Sequence, residues 1–304
     1  MRIAITGANS SVGKVLLRQV ATRDALEARA LVRTHEAAAT LPSGPGITPC
    51  VIRYDDEDAL AALLDGVSCL VHLPGILIES KRSSYQTANV DATQVVVNAC
   101  QRVQVNHLVL ISSLGANLNS DNRYYLSKGV AEDIVARSGI SSTIIRTSIL
   151  LGPGTAGARA LVVMASRASV RLLGGGHHTL RPLDVDDLSR AILNACTAQT
   201  EGVVIHELVG PEPVTHRDLV SMTGRLMDHP VSIKAAPVWA AKLGATMTGW
   251  IRRGGMTATV IAVITADEEV QMNADVDLGV SLTPLSETVK KLLPENTHPH
   301  GVSS

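Results

Sequence analysis

The chain has no phenylalanine at all, and its few tyrosines and tryptophans bring the aromatic share to only 2% of 304 residues. So few flat side chains remove most base-stacking platforms, and Lys+Arg 27 against Asp+Glu 28 leaves no basic field to hold a phosphate backbone. Nucleic acid is therefore not an expected partner. Cysteine is scarce as well. Cys50, Cys69, Cys100 and Cys196 are scattered through apolar stretches without a C-x-x-C pair, which points to packed thiols in a reducing compartment rather than to disulfides or zinc. No apolar run approaches the ~20 residues needed to span a bilayer; the longest near the C-terminus covers residues 258–266. A strand pattern that starts at residue 2 leaves no room for a signal peptide, so a cytoplasmic location is the expectation. Hydrophobic residues at 45% and charged ones at 18% exclude disorder and give ample material for a core.

What is present begins at once. An apolar strand pattern over 2–6 leads into the turn Gly7-Ala8-Asn9-Ser10-Ser11-Val12-Gly13 and then a helical run over 14–20. Strand, glycine turn and helix in that order aim free backbone N–H groups and the positive end of a helix dipole at one spot, where a pyrophosphate can sit. The dinucleotide fingerprint asks for three glycines: at the tight turn, where backbone meets phosphate, and where helix packs on strand. Gly7 and Gly13 fill the outer places and Ser10 the middle one, adding a β-carbon near the phosphate path and a hydroxyl able to donate to it. The same stretch resembles the triphosphate loop G-x-x-x-x-G-K-[ST]. That pattern fails twice, since five residues separate the glycines and Val15 replaces the magnesium-holding hydroxyl.

Further strand patterns fall at 27–33, 47–53, 68–73, 107–112 and 142–147, separated by helical stretches over 58–64, 84–102 and 124–138. Near-continuous apolar strands alternating with crossover helices require a parallel sheet covered on both faces. The expected fold is α/β, a Rossmann-type doubly wound parallel sheet, with ligands at the carboxyl ends of its strands. After Gly152-Pro153-Gly154 the rhythm changes. Residues 1–152 read as an NAD(P)-binding domain and 153–304 as a smaller, mostly helical substrate or lid domain, whose strand at 203–209 has the option of rejoining the main sheet. The second strand ends Leu31-Val32-Arg33-Thr34 with no carboxylate before Glu36, which favours the 2′-phosphate of NADP(H), leaving NAD(H) as the alternative.

These features occur in a recognisable series. Thr6 to Gly13, Leu31-Val32-Arg33, Tyr54-Asp55, His72-Leu73, Asn89-Val90-Asp91-Ala92-Thr93, Ile111-Ser112-Ser113-Leu114-Gly115-Ala116, Tyr124 to Lys128 and Arg146-Thr147-Ser148 follow the order seen in extended and atypical short-chain dehydrogenase/reductases. Val185-Asp186-Asp187-Leu188, Leu278-Gly279 and Thr283-Pro284 extend the likeness over nearly the whole chain. The branch it most resembles holds the NADPH-binding accessory subunit of respiratory complex I and the NmrA-like proteins. The resemblance implies a cofactor held by Gly7, Asn9, Ser10, Ser11, Val12 and Gly13, with Asp55 beside the adenine and Leu73, Pro74 and Gly75 along a ribose. It also implies that Ser112 and Lys128 lie at the cofactor and that Thr147, Ser148 and Ile149 meet the nicotinamide. Asp55 has a plainer reading as the cap of the next helix, and Pro74-Gly75 as a strand end.

Tyr124 and Lys128, spaced i and i+4, share one helix face. Reduction of a carbonyl needs a proton at the oxygen, and a tyrosine beside an ammonium supplies it. Tyr125 is three residues from Lys128 and off the family spacing. Where relatives carry a serine or threonine, this chain has Leu114, so Ser113 is the candidate substitute. The expected activity is hydride transfer between NADP(H) and a small, fairly apolar carbonyl or alcohol, with Tyr124, Lys128 and Ser113 catalytic, no metal, and a homodimer as one option. The alternatives are a non-catalytic NADPH-binding sensor or assembly factor and a nucleotide-sugar epimerase. Gly174-Gly175-Gly176-His177-His178 reads as a flexible loop beside the substrate pocket, His72 and His107 as packed or hydrogen-bonded. The 239–251 stretch reads as a packed or subunit-contact helix, and the tail from His298 as frayed.

Overall fold

A computed structural model describes residues 1–241 and 257–293. The chain runs β1 (Arg2–Thr6), α1 (Ser11–Ala21), β2 (Glu27–Val32), α2 (His35–Ala38), β3 (Ile47–Val51), α3 (Glu57–Leu64), β4 (Cys69–His72), α4 (Ala92–Arg102), β5 (His107–Ser113), α5 (Arg123–Ala136) and β6 (Ser141–Thr147) through its first half. It continues with β7 (Leu150–Leu151), α6 (Ala156–Ala165), β8 (Ser169–Leu173), β9 (Thr179–Leu180), β10 (Leu183–Asp184), α7 (Val185–Ala198) and β11 (Val203–Leu208). Then come β12 (Val214–Thr215), α8 (His216–Leu226), β13 (Ser232–Ala236), α9 (Ala258–Ile264) and α10 (Leu285–Lys290).

Seven strands form one parallel sheet in the order β11-β6-β5-β4-β1-β2-β3. The strand order reverses at β1, whose neighbours β2 and β4 are reached by crossovers in opposite directions. A crevice must open there, beyond the carboxyl ends of β1 and β4. Alternate residues of β1 feed the two faces. Ile3 and Ile5 pack with Leu16, Leu17 and Val20 of α1 and Leu188 and Ile192 of α7. Ala4 turns to the layer of Leu60 and Leu64 of α3, Val96 and Val97 of α4 and Val135 of α5. Each such fully buried aliphatic side chain contributes about 1.5–3 kcal/mol, so the sheet position of the crevice is firmly set.

Several details depart from the sequence reading. The helical stretch expected over 84–102 opens with a wide π-type turn at Gln86–Asp91 before α4 begins. The short α2, capped by Thr34 accepting from Ala37 N–H, left no periodic trace. The second half contains three two-stranded pairs, β7 with β10, β9 with β12 and β8 with β13; the two-residue strands of the first two pairs are too short to show alternation, while β8 and β13 are five residues each. They surround a separate core of Leu151, Leu161, Leu172, Leu219, Val220, Leu285 and Val289. The glycine run is packed rather than open: Gly175 and Gly176 are buried, and a β-carbon on Gly176 would stand 2.6 Å from Leu172 Cδ1.

The Val185-Asp186-Asp187-Leu188 motif is structural. Asp184 caps α7 through Asp186 N–H and receives Thr288 Oγ1 and Lys291 Nζ, while Asp187 accepts the Thr283 N–H and hydroxyl. These bonds fasten the C-terminal segment to the main sheet. Cys69, Cys100 and Cys196 are buried, whereas Cys50 on the edge strand β3 is partly exposed. Among the described residues no helix is long and apolar enough to cross a membrane. Beyond Ala241, the 239–251 stretch lies outside the described residues, as does the tail from His298.

Candidate functional site

The turn after β1 carries the geometry its glycines foretell. Gly7 has φ +69°, a conformation L side chains rarely adopt, and a β-carbon there would lie 3.3 Å from Pro74 Cδ. At Gly13 a β-carbon would stand 2.5 Å from the Ala8 carbonyl oxygen, so only glycine lets α1 pack this close to the turn. Ser10 is the N-cap of α1, its Oγ accepting the Gly13 N–H at 3.0 Å. The middle glycine of the fingerprint is thus replaced by a capping group. Asn9 and Ser10 are exposed, and the first-turn amides of Ser11 and Val12 have no helical acceptor.

On the β2 side of this turn, Arg33 is exposed just past its strand. Its charge reaches the half-buried Tyr54, whose phenol is pushed up to about 12 chiefly by burial, against the pull of Arg33 and Thr6. Asp55 is exposed and grips Arg53 in a two-pronged ion pair at 2.9 and 2.6 Å, which holds its carboxyl below the usual range. It does not cap α3. That role belongs to its neighbour Asp56, which accepts the Ala59 N–H.

On the β4 side, His72 is fully buried between Thr6 Oγ1 at Nδ1, 2.8 Å, and Thr93 Oγ1 at Nε2, 3.2 Å. Thr93 donates its own proton to the Asn89 carbonyl at 2.7 Å, so it accepts from His72 Nε2–H and leaves Nδ1 to receive the Thr6 hydroxyl. Burial lowers the imidazole to about 3, consistent with this neutral ring. The strand then emerges as Leu73-Pro74-Gly75. A β-carbon on the exposed Gly75 would sit 3.3 Å from Lys128 Nζ and 3.7 Å from Asn89 Oδ1. Gly75 therefore leaves open a cradle beside an ammonium.

That ammonium belongs to the first turns of α5, started by Asn122, whose Oδ1 accepts from Tyr124 and Tyr125 N–H. Lys128 is 5% exposed and donates to the Ile111 carbonyl at 2.8 Å. Burial brings it down to about 8, opposed by the carboxylate of Glu132 one turn on. Tyr124 stands one turn earlier, between Tyr85 and Tyr125 with ring centroids 5.9 and 5.6 Å away. Burial raises its phenol and hydrogen bonding with Ser113 pulls it back. Lys128 does not figure in that shift, contrary to the role expected of it from the i, i+4 spacing. One of the three N–H donors of the ammonium goes to Ile111.

Ser112 points the other way, under the sheet edge. Its hydroxyl bonds Glu132 Oε1, and Glu132 also takes Arg146 in a bidentate pair at 3.0 and 2.7 Å, with Arg146 flanked by Glu207 of β11. Its side chain therefore braces α5 against β5 and β6. Thr147 and Ser148 are buried at the end of β6, where Ser148 Oγ donates to the Arg181 carbonyl at 2.6 Å. Ile149 N–H donates to the Glu268 carboxylate at 2.9 Å.

The carboxyl edge thus brings together the turn 7–13, residues 73–75, Lys128, Tyr124, Ser113 and residues 147–149, with Arg33 and Asp55 farther along the same edge, past the ends of β2 and β3. Three further groups stand at this edge. Asn89 binds Ile76 N–H and Ser127 Oγ at 2.9 Å each, and lies in a motif that marked it in the sequence. Glu132 falls one helical turn after Lys128, a spacing that was readable. Glu268 had no sequence signal. Elsewhere His178 and His216 meet edge to face at 5.1 Å, and among the described residues no group of three His, Cys, Asp or Glu side chains is placed to hold a metal.

Residues 7–197 match the family model for NAD(P)H-binding domains. A ceramide reductase of Caulobacter vibrioides is 25% identical over 251 residues, covering 82% of this chain and 78% of that protein. The mitochondrial NADH dehydrogenase (ubiquinone) 1 alpha subcomplex subunit 9 of Arabidopsis thaliana is 24% identical over 179 residues, 58% of this chain and under half, 44%, of its own length. Among solved structures, MoeE5 in complex with UDP-glucose and NAD superposes with a TM-score of 0.74 at 19% identity, covering 96% of this chain and 97% of that one. The fold is that of the short-chain dehydrogenase/reductases, and the chain belongs to the NAD(P)H-binding family.

Proposed function

We propose that the protein is an NADP(H)-dependent oxidoreductase acting on a small, fairly apolar carbonyl or alcohol, with residues 1–152 holding the cofactor and 153–304 shaping the substrate side. The open cradle at Gly75 beside Lys128, in line with the positive-φ turn at Gly7, fits an extended dinucleotide. In this reading the amides of the 7–13 turn hold the pyrophosphate. Arg33 takes the 2′-phosphate, Asp55 faces the adenine, Leu73, Pro74 and Gly75 line a ribose, and Lys128 holds the nicotinamide ribose. When bound, the cofactor supplies or accepts a hydride.

The observation that carries the reading is the buried Lys128 ammonium facing the Gly75 cradle, with Tyr124 one helical turn before it and Ser113, whose hydroxyl donates to the Leu114 carbonyl at 3.1 Å, at the end of β5. The Tyr124 phenol, ordinarily protonated at neutral pH and raised further by burial, is in the state needed to give a proton to a carbonyl oxygen during reduction. Ser113 substitutes for the hydroxyl absent at Leu114 and orients that oxygen. The apolar helix α9 comes over the start of α5, where Asn122 Nδ2 donates to the Thr259 carbonyl at 3.2 Å, and so offers an apolar wall near Tyr124. Similarity to a ceramide reductase supports the reductive direction and an apolar substrate.

Leu114 favours a second reading, an NADPH-binding sensor or assembly factor without turnover. One comparison separates them. Tyr124→Phe lowers kcat of NADPH-dependent carbonyl reduction by roughly 10²–10⁴-fold with NADPH affinity retained. Full turnover in that variant contradicts the proton role, and NADPH binding without turnover on any of a panel of carbonyls in the wild type selects the second reading.

A further inference from the structure

Glu268 lies after α9, 119 positions along the chain from Ile149, yet its carboxylate ties two distant loops together. Oε1 accepts the Ile149 N–H at 2.9 Å and Oε2 accepts the Arg181 N–H at 2.7 Å. Around these bonds the segments are cross-linked. Glu268 N–H donates to the Thr179 carbonyl at 2.9 Å, Thr179 N–H returns to Asp267 Oδ1 at 2.7 Å, and Leu183 N–H donates to the Ile149 carbonyl at 3.0 Å. The Arg181 guanidinium turns away to the carbonyls of Gly210 and Pro211 at 3.1 and 2.9 Å. Among the described residues Glu268 makes no ion pair, so its charge is met by backbone amides.

A half-buried carboxylate with two amide donors and no cation is a directional anchor, because hydrogen bonds to a charged acceptor are about twice as strong as neutral ones. What it anchors is the corner where β6 ends at the carboxyl edge, next to Ser113 and Tyr124. Leu114 N–H donates to the Thr147 carbonyl at 3.2 Å, so this corner and the β5 end form one surface. The phenol of Tyr125, whose ring lies against Gly115, is raised chiefly by burial, then by Tyr124, with the Glu268 carboxylate adding to it. Glu268 therefore reaches the substrate side from a segment that belongs to neither strand.

We propose that Glu268 is a positioning residue for the nicotinamide half of the cofactor: it fixes the Thr147-Ser148-Ile149 corner and couples that corner to the segment following α9. This rests on the cofactor placement proposed above, extended here so that the corner at the carboxyl end of β6, beside the end of β5, faces the nicotinamide. Glutamine at 268 keeps one acceptor but sets an N–H group against one of the two amides, so the corner loses half its anchor while the shape is preserved.

The test titrates full-length wild type and Glu268→Gln with NADPH and with 2′-phospho-ADP-ribose, which lacks the nicotinamide. Glu268→Gln weakens NADPH by roughly tenfold and leaves the nicotinamide-free analogue within about twofold of wild type. Equal losses for both ligands, or none for either, overturn the proposal. Hydrogen exchange on the wild type gives a readout independent of the variant's folding: NADPH slows exchange across 147–151 and 267–269 and the analogue does not, and identical protection by both ligands overturns it as well. Wild type that binds neither ligand overturns the cofactor reading and this inference with it, whereas wild type that binds both while the variant shows no selective loss overturns this inference alone.

Discussion

The Lys128 ammonium donates to the Ile111 carbonyl at 2.8 Å beneath the carboxyl end of β5. Its burial has a measurable consequence. The folded pKa of about 8 lies below the ordinary lysine value of 10.5. Between those two values the unfolded chain binds a proton that the folded chain does not, so stability rises with pH across that window; below about 8 the full cost of burying the charge is present.

Lys128→Met removes that cost. Glu132 keeps its bidentate Arg146 partner, so no carboxylate is stranded. Urea denaturation should show the variant more stable than wild type by roughly 1–3 kcal/mol at pH 7. It should also lack the wild-type rise in stability between pH 8 and 10.5. A variant less stable at pH 7 contradicts the assignment of Lys128 as a residue retained for function at a stability cost.

Ser10 separates capping from phosphate contact. Ser10→Ala strips the acceptor from Gly13 N–H and lowers stability by about 1 kcal/mol, whereas Ser10→Gly costs only a few tenths. Ser10→Gly also restores the third fingerprint glycine, so its NADPH affinity should match or exceed that of wild type. Equal destabilisation by the two variants would show that the cap does not act as described.

Arg33 is predicted to read the 2′-phosphate. Arg33→Ala should weaken NADPH by roughly 10–100-fold, the worth of a charge-assisted contact, and leave NADH within about twofold. Parallel titrations of the two cofactors check this. A variant with unchanged preference would move the discrimination elsewhere on the β2 and β3 edge, where Arg53 is already occupied by Asp55.

The first half of the fold was legible because its central strands carry short apolar runs, such as Ile3-Ala4-Ile5 and Leu108-Val109-Leu110-Ile111, between helical stretches, and the β1 turn because Gly7 and Gly13 answer to separate physical demands. Local signals did less well where neighbours share a chemistry. Asp55 and Asp56 are both able to cap α3, and only the structure shows that Asp56 does. Ser112 and Ser113 differ by one position in β5, which turns one hydroxyl to Glu132 and the other to the Leu114 carbonyl on the opposite side. The short strands of the second half and the Glu268 anchor are set by contacts between segments far apart in sequence. No window along the chain contains both partners.

The central claim is that a nicotinamide dinucleotide lies along the carboxyl edge with its pyrophosphate on the turn after β1. Calorimetric titration of wild type and Gly13→Ala with NADPH tests it most directly, because a β-carbon at Gly13 would collide with the Ala8 carbonyl and push α1 off the turn. Saturable binding by wild type at micromolar cofactor, with at least tenfold loss in a Gly13→Ala protein that remains folded by circular dichroism, is the predicted result. No heat from wild type at millimolar NADPH, or equal affinity in the two proteins, would contradict it.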